Sequence, residues 1–185
     1  ENKLIKYLKF LNKNVNAKNI KTFTGNFNNI LSIDLDKTYK VKNFNYSISG
    51  ELKKSKLTLT NLIENNFIQE DIKEIFLSDL QMKTSFSPKK NSLNIDGKYS
   101  FDNSNFLNIN LERKTDKEAV NLKLDFDFKN SFDLDLINYK KSPGSIANLS
   151  LNLNKKDDFY IVSRLNYIEN KNSIKITNLR FKNKK

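Results

Sequence analysis

The sequence predicts a mainly β fold: a curved antiparallel meander sheet forming an apolar groove, with one or two short helices. Three observations carry this reading. Val120-Asn121-Leu122-Lys123-Leu124-Asp125-Phe126-Asp127-Phe128-Lys129 alternates apolar and polar residues without interruption. Successive side chains of a strand point to opposite faces, so this segment has one oily face and one charged face. The same period-two pattern recurs along most of the chain, and short polar turns punctuate it at intervals of about 8 to 14 residues, as in an all-β meander.

The elements follow in order. Over 1–15, Leu4, Ile5, Leu8 and Leu11 stand at helical spacing with Lys3, Lys6, Lys9 and Lys13 between them, which predicts a short amphipathic helix. Strands are expected over 30–62, where Leu31, Ile33 and Leu35, then Phe44, Tyr46, Ile48 and Leu52, then Leu57 and Leu59 alternate with polar residues. Over 64–78 the period changes. Ile68, Ile72, Ile75 and Phe76 fit one helical face, and Gln69, Glu70 and Asp71 near its start suit the helix dipole, so a helix or crossover is predicted.

Strands resume over 80–182. Leu80, Met82, Thr84 and Phe86 run up to Pro88; Leu93, Ile95, Gly97, Tyr99 and Phe101 form the next alternating run. Leu107, Ile109 and Leu111 follow, then the uninterrupted run, then Phe132, Leu134 and Leu136, a turn at Pro143-Gly144, and Leu149, Leu151 and Leu153. Asp157-Asp158 reads as a hairpin tip before Ile161, Ser163, Leu165 and Tyr167, and Ile174, Ile176, Leu179 and Phe181 close the series. Roughly ten strands result, about 48 Å in the stacking direction. Gly50, Gly97 and Gly144 recur 47 positions apart, a spacing that hints at repeated strand pairs, while glycine within a strand also marks bulges and bends.

Composition bounds the function. At 185 residues the chain is expected to form a single domain, 1–185, and its first residue, Glu1, suggests a segment of a longer protein. No apolar run reaches the roughly 18 residues of a membrane helix. Cysteine and histidine are both absent, which removes thiolate nucleophiles, disulfides, the commonest general base and the usual transition-metal ligands. The net charge is +12, from 33 cations of which only Arg113, Arg164 and Arg180 are arginine. Such lysine-rich, asparagine-rich composition reads in part as codon bias, and the remaining positive field favours anionic surfaces.

The carboxylates Asp125, Asp127, Asp133 and Asp135 fall on polar parity, where they are expected to face solvent and pair across the ladder with Lys123, Lys129, Lys140 and Lys141. No calcium loop, phosphate-binding loop or nucleophile elbow is present. The chain is therefore read as non-catalytic, with no cofactor and no metal. Nucleic-acid binding is not expected, because Phe44, Tyr46, Tyr99 and Phe101 share the parity of the aliphatic residues and so belong to packing. A transmembrane β-barrel would flank its lipid-facing band with aromatic girdles, whereas Phe sits mid-strand here and Trp is absent.

Tyr46-Ser47-Ile48-Ser49-Gly50-Glu51-Leu52, Leu93-Asn94-Ile95-Asp96-Gly97-Lys98-Tyr99, Phe106-Leu107-Asn108-Ile109-Asn110-Leu111 and Phe132-Asp133-Leu134-Asp135-Leu136-Ile137-Asn138-Tyr139 share one strand grammar. In it the chain resembles, over about residues 20 to 185, the AsmA-like family of bacterial bridge-like lipid transfer proteins, closest to its YhdP branch and related to TamB. The resemblance implies a β-groove with an apolar interior that carries phospholipid acyl chains between inner and outer membranes. It implies a periplasmic setting in a diderm bacterium and inner-membrane anchoring outside this segment. The partners would be acyl chains and the remaining groove segments of the same protein. The groove residues would be Leu107, Ile109, Leu111, Val120, Leu122, Leu124, Phe126, Phe128, Phe132, Leu134, Leu136, Leu149, Leu151 and Leu153. The alternative is a non-catalytic structural or protein-binding β-domain of the cell envelope.

Overall fold

The computed structural model describes residues 20–58, 72–117, 119–134 and 138–182. Eleven strands form: β1 (Ile20–Leu35), β2 (Val41–Thr58), β3 (Glu74–Phe86), β4 (Lys90–Ser100), β5 (Leu107–Asp116), β6 (Ala119–Phe128), β7 (Phe132–Leu134), β8 (Tyr139–Lys141), β9 (Ala147–Lys156), β10 (Phe159–Glu169) and β11 (Asn172–Lys182). Nine make one antiparallel sheet in the order β1-β2-β3-β4-β5-β6-β9-β10-β11, and β7 and β8 pair separately as an insertion between β6 and β9. The sheet is open, with β1 and β11 at opposite edges. At about 4.8 Å per strand it is about 38 Å across, and its ten-residue strands are about 33 Å long.

No helix occurs among the described residues, which corrects the expectation of one or two short helices. The predicted helix over 1–15 and residues 64–71 of the predicted helix over 64–78 lie outside the described residues. The remainder of the second segment is strand: Ile75 pairs with Leu57 and Phe76 with Lys56. Ile75 and Phe76 thus point to opposite faces instead of sharing one. Pairing with β2 and β4 on both sides overrides the local helical spacing.

Local chemistry sets the turns. Asp157 (φ 54°) and Asn170 (φ 52°) each open a two-residue hairpin turn, where Asp and Asn tolerate the left-handed conformation that primed turns need. Between β1 and β2, Asp36 accepts hydrogen bonds from the Thr38 amide (2.7 Å), its hydroxyl (2.7 Å) and the Lys40 amide (3.0 Å). These donors hold its carboxyl below the usual carboxylate range.

Bulges correct the parity within strands. Asp79 (φ 53°) lies in a register shift between Ser78 and Gln81, so Leu77 and Leu80, three residues apart, share a face through their partners Tyr99 and Leu52. Gly97 lies against this bulge. A Cβ there would come within 2.6 Å of the Asp79 carbonyl and 2.7 Å of Leu80 Cα, so only glycine fits. Gly50 likewise approaches the Asn26 carbonyl of β1, whereas Gly144 lies in a turn with open space around it. The 47-residue spacing thus joins two packing glycines to an unrelated turn glycine.

A second shift, between Val162 and Arg164, puts Val162 and Leu165 on the same face. Ile161, grouped with Leu165 by simple alternation, therefore faces the other way. The buried apolar residues of the sheet, Ile48, Leu52, Leu80, Phe86, Tyr99, Ala147, Val162 and Tyr167, all lie on one face.

Candidate functional site

That face is the candidate site. The cross-strand register aligns Phe27, Gly50, Met82, Ile95, Leu111, Leu124, Leu151, Leu165 and Ile176 in one row, one residue from each of the nine strands, with no polar side chain among them. A neighbouring row runs through Gly97, Ile109, Phe126, Leu149, Tyr167 and Ile174. All nine long strands belong to the same sheet, and the other sheet of described residues, the short β7–β8 pair, meets these rows only at their end, where the Tyr139 and Tyr167 ring centroids are 5.6 Å apart. At both edges the face is open: Leu31, Ile33 and Leu35 of β1 are 50–59% exposed, and Ile176, Leu179 and Phe181 of β11 are 36–48% exposed.

Most of the residues singled out in the sequence meet here. Leu107, Ile109 and Leu111 on β5, Val120, Leu122, Leu124, Phe126 and Phe128 on β6, and Leu149, Leu151 and Leu153 on β9 form a continuous half-buried patch across three neighbouring strands. Phe132 and Leu134 do not join it. They belong to β7, which leaves the sheet and pairs only with β8. Leu136 lies outside the described residues.

The opposite face is polar, but its pairing differs from the expected lysine ladder. Asp125 accepts from Asn148 Nδ2 (3.0 Å) and the Ser150 hydroxyl, and Asp127 from Asn108 Nδ2 (2.8 Å) and Asn148 Nδ2 (3.1 Å). Lys123 instead reaches Glu112 at 3.3 Å, beside Lys114. Those two ammonium groups hold the Glu112 carboxyl below its ordinary range. Lys129 donates to Asn105 Oδ1 at 3.2 Å.

Lys141 departs furthest from expectation. It is fully buried, and its Nζ donates to the carbonyls of Lys129 (3.1 Å), Ser142 (3.1 Å) and Ser145 (2.6 Å), with Ser145 Oγ at 3.2 Å. Burial pushes its pKa down, and the Glu169 charge opposes that shift. Glu169 accepts from the hydroxyls of Ser145, Tyr139 and Tyr167, the last at 2.9 Å, and Tyr139 and Tyr167 are themselves 2.8 Å apart. Burial and these hydrogen bonds push the Tyr167 hydroxyl well above the ordinary tyrosine range.

The network is a clasp. It fastens the insertion carrying β8 onto β10 at the end of the apolar face, where Phe128 and Tyr167 rings lie 5.9 Å apart. Nothing in the period-two pattern distinguishes Lys141 or Glu169 from solvated charges, so sequence reasoning missed both. A cleft of about 670 Å³ opens at the same end, lined in part by Tyr99, Phe101, Leu107, Lys129 and Gly144. The Tyr99 hydroxyl donates to the Asp127 carbonyl at 2.6 Å.

Comparison with protein-family models, curated proteins and solved structures gives no match. The functional reading therefore stands on geometry. Among the described residues no cluster of three or more acidic, histidine or cysteine side chains could hold a metal ion, and no helix is long and apolar enough to cross a membrane. What the arrangement offers chemically is apolar area on one side of an open sheet, hydrogen-bonded carboxylates on the other, and a polar clasp at one end.

Proposed function

We propose that the apolar face binds lipid acyl chains, as part of a bridge-like lipid transport protein. The observation that carries this is the row from Phe27 to Ile176, which crosses all nine strands without a polar side chain. A tail laid along such a row loses about 0.8 kcal/mol of unfavourable hydration per buried methylene, and no directional contact is required. Successive positions on the row are chemically alike, so a chain can slide with little change in energy.

Both edge strands keep unpaired backbone groups on their outer side among the described residues, and apolar side chains continue to both edges. Further strands can therefore extend the same face, as a longer conduit requires. The strand grammar shared with AsmA-like proteins supports a setting in the bacterial periplasm, with phospholipid as cargo and anchoring to the inner membrane outside this segment.

Native mass spectrometry and lipid extraction of the purified protein test the proposal. Co-purifying phospholipid, displaced by added fatty acid, is the expected result. A protein that purifies free of lipid and captures no fatty acid is instead a structural or protein-binding β-domain.

A further inference from the structure

The apolar face changes character toward the end that carries the β9–β10 turn. Beyond the two apolar rows, the face includes Arg113, aligned with Leu93 and Leu122, and then Lys155, aligned with Val120 and Tyr160. No carboxylate shares these two rows. At the corner, the Tyr160 and Phe181 rings stack at 5.3 Å and 9°, with Lys155 Nζ 5.5 Å from the Tyr160 centroid and Phe181 45% exposed. The other face repeats the pattern, with Arg180 4.1 Å and Lys182 5.9 Å from the Phe159 ring.

Asp157 and Asp158 occupy the intervening turn, yet among the described residues no ion pair engages Lys155, Lys156, Arg180 or Lys182. The corner therefore combines the exposed Phe181 ring and the half-buried Tyr160 and Phe159 rings with cations on both sides of the sheet that have no carboxylate partner among the described residues. Rings of this kind sit at the boundary between headgroups and tails, and long basic side chains reach from there to phosphates. At the opposite end the clasp covers part of the face, with Tyr139 on Tyr167 and Lys141 Nζ 5.6 Å from the Phe128 ring, whereas at this corner Phe181 is 45% exposed.

We propose that the end of the sheet bearing the β9–β10 turn seats on an anionic lipid bilayer. Charge complementarity selects that occupant, and continuity with the apolar face distinguishes it from RNA: Tyr160 and Phe181 stack on each other and leave no slot between them for a base. The inference goes beyond acyl-chain binding, which concerns the face and not its end.

Co-sedimentation with phosphatidylglycerol vesicles and with phosphatidylcholine vesicles tests it. Binding is expected to the first and not to the second. Lys155→Gln with Lys156→Gln should weaken it about thirtyfold, each basic residue near such a surface contributing about fivefold. Lys21→Gln with Lys171→Gln, two exposed lysines at the opposite end, should leave it unchanged. Tyr160→Ser with Phe181→Ser keeps the charge and should abolish whatever binding survives raised salt.

Thermal melts confirm that each variant folds. Equal losses for both lysine pairs would assign binding to the overall charge of +12 and overturn the proposal. So would the absence of vesicle binding, or oligouridylate binding that depends on Lys155 and Lys156 where vesicle binding does not. Capture of a fluorescent fatty acid should be the same in Lys156→Gln, whose side chain lies on the face opposite the apolar rows, as in the wild type. A wild type that binds vesicles but captures no fatty acid refutes the acyl-chain reading and leaves this docking standing.

Discussion

Leu124→Asp discriminates best between a lipid-binding face and a dry core. Leu124 is half-buried and lies between Leu111 and Leu151 in the middle of the apolar row. If the face meets only lipid, the new carboxylate stays solvated, and the cost to folding is the lost cross-strand packing and strand preference, about 1–2 kcal/mol. For a chain of this size that lowers Tm by about 2–8 °C. The cost to binding is larger. A tail crossing Leu124 covers it with about three methylenes, worth about 2.4 kcal/mol in total, so fatty-acid affinity should fall about fiftyfold. Fluorescent fatty-acid titration reads the affinity and far-ultraviolet circular dichroism with heating reads the fold; Leu124→Met controls for substitution as such. Burying a charge without a partner costs several kcal/mol, enough to unfold a domain of ordinary stability. Loss of the β signal at room temperature, or an unchanged affinity, would therefore refute the reasoning.

Three further outcomes follow from the geometry. Lys141→Met removes the donor shared by three carbonyls and should cost about 3 kcal/mol in denaturant unfolding, with less than about 0.5 kcal/mol contradicting the clasp. Gly97→Ala drives a methyl group into the Asp79 carbonyl and the Leu80 backbone, and should destabilise by about 2–4 kcal/mol, whereas Gly144→Ala, with no neighbour in reach and a positive φ, should cost only about 1 kcal/mol. Asp102 accepts from the amides of Ser104 (2.9 Å) and Asn105 (2.8 Å), Asn105 Nδ2 (2.6 Å) and Ser100 Oγ (2.7 Å), and these donors hold its pKa well below the carboxylate range. A depressed folded pKa gives stability that is fully present above the unfolded value of about 3.9 and is lost progressively as pH falls from there through the folded pKa. Hydrogen exchange at the Ser104 and Asn105 amides, referenced to the intrinsic rate, should lose protection steadily as pH falls below about 4, with the decline still continuing at about pH 2, and Asp102→Ala should remove that pH dependence.

The legible part of the fold is the part where alternation runs unbroken. β5, β6 and β9 pair in simple register, and their oily parity could be read directly from Leu107, Leu124 and Leu151. Parity fails wherever an extra residue enters a strand. Ile161 and Leu165 look equivalent by count, but the shift near Ser163 separates them, and only the partner strand reveals it. Alternation also cannot say which sheet a strand joins. Phe132 to Leu134 has the grammar of its neighbours and still pairs outside the nine-stranded sheet. Ile75 and Phe76 show the converse error, since apolar residues one apart fit a helix face or the two faces of a strand, and the ladders with β2 and β4 decide.

The bulges also bear on function. Each is local, yet each restores apolar residues to the same face that an uninterrupted count would have sent across. Leu77 and Leu80 are kept together by Asp79, as are Val162 and Leu165 by the shift near Ser163. A sheet that needed only to stack as a scaffold could tolerate mixed parity at such points, because a few polar residues on an open face cost little. Here irregularities in β3 and β10 act in the same direction, and Gly97 is fitted against one of them at the expense of strand propensity. Continuity of the apolar face is thus held at a cost in local regularity, which is the pattern expected when the face itself does the work. Replacing Gly97 tests stability at that point, and the Leu124 experiment tests whether the continuity it protects serves an acyl chain.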